Sequence, residues 1–267
     1  MIRDITLGQY YQGDSVIHRL DPRVKLIATL VYIISLFVVK NYIGYAVCFV
    51  FLAIAIGLSK VPVKFMVRGM KAILFLLIIT VLFNLFLTPG ETLVSFWIFT
   101  ITKEGLKQAF TMAVRLSMLI IGSSVMTLTT TPNNLTDGLE SVMKPLKKIK
   151  VPVHEIAMMM SIALRFIPIL LEETDKIMKA QIARGADFES GNLIKKAKSM
   201  VPLLVPLFIS AFRRANDLAM AMEARCYQGG EGRTKMKPLV YKKRDVISYV
   251  VIAVYFAACI VVGRILF

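Results

Sequence analysis

Cysteine, histidine, tryptophan and acidic side chains are all scarce in this chain of 267 residues. It holds 3 Cys, 2 His and 1 Trp, and 17 Asp and Glu stand against 33 Lys and Arg. Cys48, Cys226 and Cys259 are too few and too scattered for a disulfide framework or a thiolate metal site. With only His18 and His154 beside them, a zinc enzyme is not expected. There is no G-x-x-x-x-G-K-[ST] phosphate loop, so ATP is not bound by that route. G-x-S-x-G, HExxH and Cys-x-x-Cys are missing as well. Carboxylates are absent from the middle of every long apolar run, and proton- or ion-coupled carriers usually place them there. Residues 1–25 are polar and have no apolar core region, so no cleavable signal peptide is expected and the first span should direct its own insertion.

What is abundant points one way. Apolar residues make up 57% of the chain, its net charge is +16, and its mean hydropathy is +0.67. A basic disordered or nucleic-acid-binding tail would explain the charge but not the apolar content. A polytopic membrane protein with its basic residues gathered on one side explains both, and no nucleic-acid partner is expected. Apolar stretches at about 26–39, 43–58, 72–87 and 109–128, with a fifth at 246–267, are the candidate spans. The first two are separated only by Lys40, Asn41 and Tyr42, which predicts a tight hairpin. Within these spans Arg115 is the ionisable residue that lies well inside, and Asn84 is expected to hydrogen-bond to a neighbouring helix.

Charge placement orients the spans. Residues 1–25 carry Arg3, Arg19, Arg23 and Lys25, and the 59–71 loop carries Lys60, Lys64, Arg68 and Lys71. Segment 129–245 holds 20 of the Lys and Arg residues. The loops at 40–42 and 88–108 are poor in net positive charge. Basic loops stay inside, so the N-terminus is expected in the cytoplasm and the C-terminus outside.

Segment 129–245 contains two further apolar runs, 156–171 and 200–212. Arg165 and Pro168 interrupt the first, and Pro202 and Pro206 the second. These interruptions favour long amphipathic helices at the inner membrane surface over a seven-span arrangement. Helices are predicted at about 132–144, 153–184 and 193–225. Thr131 supplies the first N-cap and Pro132 the first helical position. Lys147, Lys148 and Lys150 form a juxtamembrane cluster suited to anionic headgroups of the bilayer. The helix at 153–184 is methionine-rich at Met158, Met159 and Met160, and ends in Ala183-Arg184-Gly185. The next carries Ala211, Ala215 and Ala219, a small-residue stripe that lets another helix approach. It ends in Ala224-Arg225-Cys226. An arginine in a final turn can simply bond the last carbonyls. Two such ends on long helices, in a membrane protein with no motor of its own, suggest plugs for acidic sockets on partner proteins. The residues thus argue for a scaffold. A stand-alone carrier and a membrane-bound enzyme are the other classes in play, and the carboxylates Glu172, Glu173 and Asp175 read as a solvated helix face.

These motifs resemble the transmembrane component of energy-coupling factor transporters. Leu20-Asp21-Pro22-Arg23-Val24-Lys25-Leu26 is similar to that family's N-terminal signature, and Thr131-Pro132-x-x-Leu135 to the start of its cytoplasmic portion. The stretches Ala163-Leu164-Arg165-Phe166-Ile167-Pro168, Ala180-Gln181-Ile182-Ala183-Arg184-Gly185-Ala186-Asp187 and Ala221-Met222-Glu223-Ala224-Arg225-Cys226-Tyr227 are similar too. The likeness covers essentially the whole chain. It implies an all-α membrane protein of about five transmembrane helices, with a cytoplasmic pair of long coupling helices that cross. It further implies two ABC ATPase subunits that use ATP with Mg, docked on Arg184 and Arg225, with Ala183, Gly185 and Ala224 allowing close contact. Cys226 departs from the family's glycine, so that helix cap cannot rely on a glycine. A membrane-embedded, vitamin-binding S component completes the implied importer, in which this chain binds no cofactor directly and catalyses nothing. A dedicated cobalt or nickel importer is the alternative within the family.

Overall fold

The computed structural model describes residues 10–39, 41–96, 99–186, 188, 193–230 and 236–265. Lys40, Asp187, Gly191 and Asn192, and the extreme ends of the chain, lie outside the described residues. Among the described residues two compact units are present, one formed by 10–142 with 239–265 and the other lying within 143–238.

In the larger unit, Asp21 caps helix α1 (Pro22–Val38): its carboxylate accepts from the Arg23 amide at 2.9 Å, and Pro22 occupies the first turn, where no amide is needed. The Arg23 guanidinium donates to the same carboxylate at 3.0 and 2.8 Å. Burial would raise the Asp21 pKa, but the hydrogen bonds from Arg23 outweigh it and hold the group below the usual carboxylate value. The expected hairpin follows, from α1 into α2 (Tyr42–Ser59). Glycine is required at position 44, where a Cβ would sit 2.4 Å from the Val39 side chain.

Helix α3 (Val63–Leu87) begins directly after Pro62 and runs longer than its apolar core suggests, because the basic stretch 64–71 is helical as well. Asn84 donates to the Thr80 carbonyl of its own helix at 2.8 Å instead of reaching a neighbour. A small antiparallel hairpin, β1 (Thr92–Phe96) and β2 (Phe99–Thr102), occupies the expected loop. Seven of its nine strand residues are β-branched or aromatic, which suits a strand. Thr102 ends the hairpin and caps α4 (Lys103–Thr129), accepting from the Gly105 amide at 3.0 Å and donating to the Thr88 carbonyl at 2.8 Å. A Cβ at Gly105 would lie 3.0 and 3.1 Å from the Leu85 and Asn84 carbonyls, so glycine lets α4 start against the end of α3. Helix α5 (Pro132–Met143) opens as expected, with Thr131 accepting from the Asn134 amide at 3.3 Å.

The core of this unit forms where α1, α2, α4 and α8 (Lys243–Ile265) meet. Tyr255 stacks on Phe51 with ring centroids 4.0 Å apart, and Tyr32, Leu36, Leu52 and Met118 pack around them. The polar atoms buried here satisfy one another: Ser35 Oγ and Tyr255 Oη lie 2.6 Å apart, and Tyr255 donates to Cys48 Sγ at 3.2 Å. At the other end of α8, buried Asp245 accepts from the amides of Asp21 at 2.9 Å and Lys242 at 2.8 Å, tying α8 to the start of α1. Arg115 donates through Nε to Tyr45 Oη at 2.8 Å and lies over the Phe37 ring. Outward positions are apolar: Phe75 is 75% exposed and Val254 64%. Such a surface needs lipid around it.

In the smaller unit a 3-10 turn at Lys144–Ile149 precedes α6 (Val153–Ala183) and α7 (Leu193–Ala224). By length and apolarity α2, α4, α6 and α8 could cross a membrane, with Ile73–Leu87 as a shorter apolar stretch. The spans expected from the sequence differ from this set at α1, which has 17 residues, at α3, where only the shorter stretch is found, and at α6, which carries Arg165 and Pro168. Among the described residues all of the long elements are helices, as an all-α membrane protein requires.

Candidate functional site

The arginines singled out by sequence sit at two helix ends built alike. At the end of α6 the amide of Gly185 donates to the Ile182 carbonyl at 2.9 Å, and that of Ala186 to the Gln181 carbonyl at 3.0 Å. At the end of α7 the amide of Cys226 donates to the Glu223 carbonyl at 2.8 Å, and that of Tyr227 to the Met222 carbonyl at 3.1 Å. Both are Schellman caps, with one residue in the left-handed region and the arginine immediately before it. That residue is Gly185 at φ +87° in one and Cys226 at φ +54° in the other. Cysteine therefore takes up the conformation itself, at a backbone cost of roughly 1 kcal/mol. Arg184 and Arg225 are exposed, as are Ala183, Gly185, Ala224 and Cys226. Nothing lies within 4 Å of where a Cβ would stand on Gly185.

Between these ends α6 and α7 pack on each other. Glu173 is the polar joint: it accepts from Ser210 at 2.5 Å and from Arg214 at 3.0 Å. Beyond it, Ala211, Ala215 and Ala219 face Ile162, Phe166 and Leu170 across a hollow of about 270 Å³. The alanine stripe lines an open hollow, not a sealed seam. Since α7 runs onward from Ser210 while α6 is followed back from Glu173, the helices pass in opposite senses. Arg184 and Arg225 then lie beyond opposite ends of the contact, on the order of 30 Å apart at 1.5 Å per residue.

One feature escapes a reading by motifs. Leu204, Val205, Phe208, Ile209 and Phe212 of α7 form an exposed apolar stripe, with Phe208 60% and Phe212 67% exposed. Its signal was the four-residue recurrence within 200–212. On α6, Met159 and Met160 are exposed too. Among the described residues no group of three or more His, Cys, Asp or Glu could hold a metal ion.

Residues 13–236 match the CbiQ family, described as a cobalt transport protein. Over 250 residues the chain is 59% identical to the energy-coupling factor transporter transmembrane protein EcfT of Clostridium kluyveri, with 93% of each chain covered. The protein of the same name from Ruminiclostridium cellulolyticum is 56% identical over 247 residues, covering 92% of each. That from Bacillus subtilis is 47% identical over 257 residues, covering 95% of this chain and 97% of its own. The chain belongs to this family. It is a transmembrane component of an energy-coupling factor transporter, and a multi-pass membrane protein. The Leu20-Asp21-Pro22 motif coincides with the α1 cap, and the two Ala-Arg motifs coincide with the paired Schellman ends.

Proposed function

We propose that this chain is the coupling subunit of its importer, passing ATP-driven motion of two ATPase subunits to a membrane-embedded S component that binds a vitamin or other micronutrient. Arg184 and Arg225 enter acidic sockets, one on each ATPase, with ATP and Mg held by those partners and no catalysis by this chain. The observation that carries the reading is the pair of matched caps. A helix that ends in a Schellman motif has its last carbonyls already bonded by amides, so the preceding arginine is not needed to satisfy them. Its guanidinium stays free for bidentate pairing with a carboxylate. A separation on the order of 30 Å suits two sockets better than one.

The N-terminus lies in the cytoplasm and the C-terminus outside, with 129–245 on the cytoplasmic side, because the basic residues cluster at that face. Helix α6 stays at the membrane surface: Arg165 is exposed on it, and Glu173 pairs with Arg214 in its second half. The exposed apolar stripe of α7 and the methionines of α6 offer the S component a surface that can repack as it moves.

The test is co-purification. Arg184→Glu and Arg225→Glu should each lose the ATPase pair while the chain still inserts into the membrane. A full ATPase complement retained by both variants refutes the docking roles. The family description as a cobalt transport protein favours a second reading, a dedicated cobalt or nickel importer. Uptake of radiolabelled cobalt by cells bearing the complex, compared with uptake of labelled vitamins, separates the two.

A further inference from the structure

In the larger unit, α1, α2, α4 and α8 leave between them an open cavity of about 450 Å³. Its lining runs about two turns along each helix, from Lys25 to Tyr32, Leu58 to Phe51, Thr129 to Gly122 and Arg244 to Ile252, roughly 11 Å at helical rise. All four segments point the same way. The cations Lys25 and Arg244, with Thr129, stand at one end, and Tyr32, Phe51, Leu52 and Gly122 at the other. Ile54, Leu58, Ile247 and Val251 on its rim are exposed, so the groove opens to the lipid side.

The charged end is incomplete. The Nε of Arg244 is buried and has no hydrogen-bond partner. Lys25, itself 6% exposed, spends two of its three N–H groups on the carbonyls of Thr129 at 2.8 Å and His18 at 3.2 Å. The carboxylates near this end are already engaged, Asp21 by Arg23 and Asp245 by the amides of Asp21 and Lys242. A buried guanidinium N–H without an acceptor is costly unless an anion completes it. We infer that the groove holds the headgroup-side half of one acyl chain of an anionic phospholipid, whose phosphate accepts hydrogen bonds from Arg244 and Lys25. Apolar length, cationic mouth and lateral opening match that amphiphile, and basic pockets between transmembrane helices bind such headgroups. The inference does not depend on ATPase docking.

Native mass spectrometry of the full-length chain, released from mild detergent with equal phosphatidylglycerol and phosphatidylcholine added, tests it. Phosphatidylglycerol should be retained several-fold over phosphatidylcholine, whose phosphate can make the same contact but whose choline cation is repelled by Arg244 and Lys25. Arg244→Gln should abolish that preference and Arg244→Lys recover part of it. Ala55→Trp, which fills the groove without touching the cations, should lower retention of the lipid; it decides the matter alone if Arg244→Gln does not elute monodisperse. Equal retention of the two lipids, or a preference that survives Arg244→Gln together with retention that survives Ala55→Trp, overturns the site. So does cross-linking of an Ala55→Cys variant to a protein subunit in the assembled transporter, since the groove is then a partner's seat.

Discussion

Replacing Cys226 by glycine changes a single torsional preference at a surface where little else is touched. The cysteine is exposed and free, and its φ of +54° places it in the left-handed region. An L-residue with a Cβ is disfavoured there by roughly 1–2 kcal/mol relative to glycine. Glycine gives back part of that gain because it loses more freedom on folding, roughly 0.5–1 kcal/mol. The net expectation for Cys226→Gly is a stabilisation of the α7 end by about 0.5–1 kcal/mol, or a roughly two- to fivefold slowing of local opening. The mirror experiment uses the other cap. Gly185→Ala meets no neighbour within 4 Å, so its loss of about 1 kcal/mol is purely conformational. Hydrogen–deuterium exchange of the purified chain reads both, through the amides of Cys226 and Tyr227 at one end and Gly185 and Ala186 at the other. Exchange should slow in the first variant and speed up in the second. Faster or unchanged exchange in Cys226→Gly, alongside faster exchange in Gly185→Ala, would refute the claim that the two ends share one geometry.

Two further perturbations probe the transmembrane unit. Asp245→Ala leaves the buried amide of Asp21 without its acceptor, at roughly 1–3 kcal/mol, and frees the half-buried amide of Lys242 as well. The thermal midpoint in detergent should fall clearly, and less so for Asp245→Asn; an unchanged midpoint contradicts the tie between α8 and α1. Gly122→Ala would set a Cβ 2.4 Å from Cε1 of Tyr32, whose ring is packed in the core. Overpacking of about 1–3 kcal/mol should appear in the same assay, and wild-type stability would mean that Tyr32 does not pack against α4 there.

Much of this was legible along the chain. The Asp21-Pro22 and Thr131-Pro132 helix starts are local chemistry, a capping oxygen followed by a residue that needs no amide, and local chemistry is written in consecutive residues. The Ala-Arg ends were legible for the same reason. The hairpin at 92–102 was not, because two short β-branched runs within an apolar region carry no distinctive period. Asn84 was misread because a lone amide in a helix can satisfy itself one turn back as readily as across an interface, and only the fold decides which. The conformation of Cys226 was open too, since the sequence names the residue but not its φ.

Composition and apolar spacing by themselves determined that this is a multi-pass helical membrane protein. That follows from transfer energies that act residue by residue. The motifs determined its family. Tertiary structure alone decided what depends on elements distant in sequence: that Asp245 completes the start of α1, that Glu173 joins α6 to α7, and that both arginines follow carbonyls already bonded. It alone gathered Lys25 and Arg244, from opposite ends of the chain, at the mouth of one apolar groove. Such juxtapositions arise from packing, and packing has no linear code.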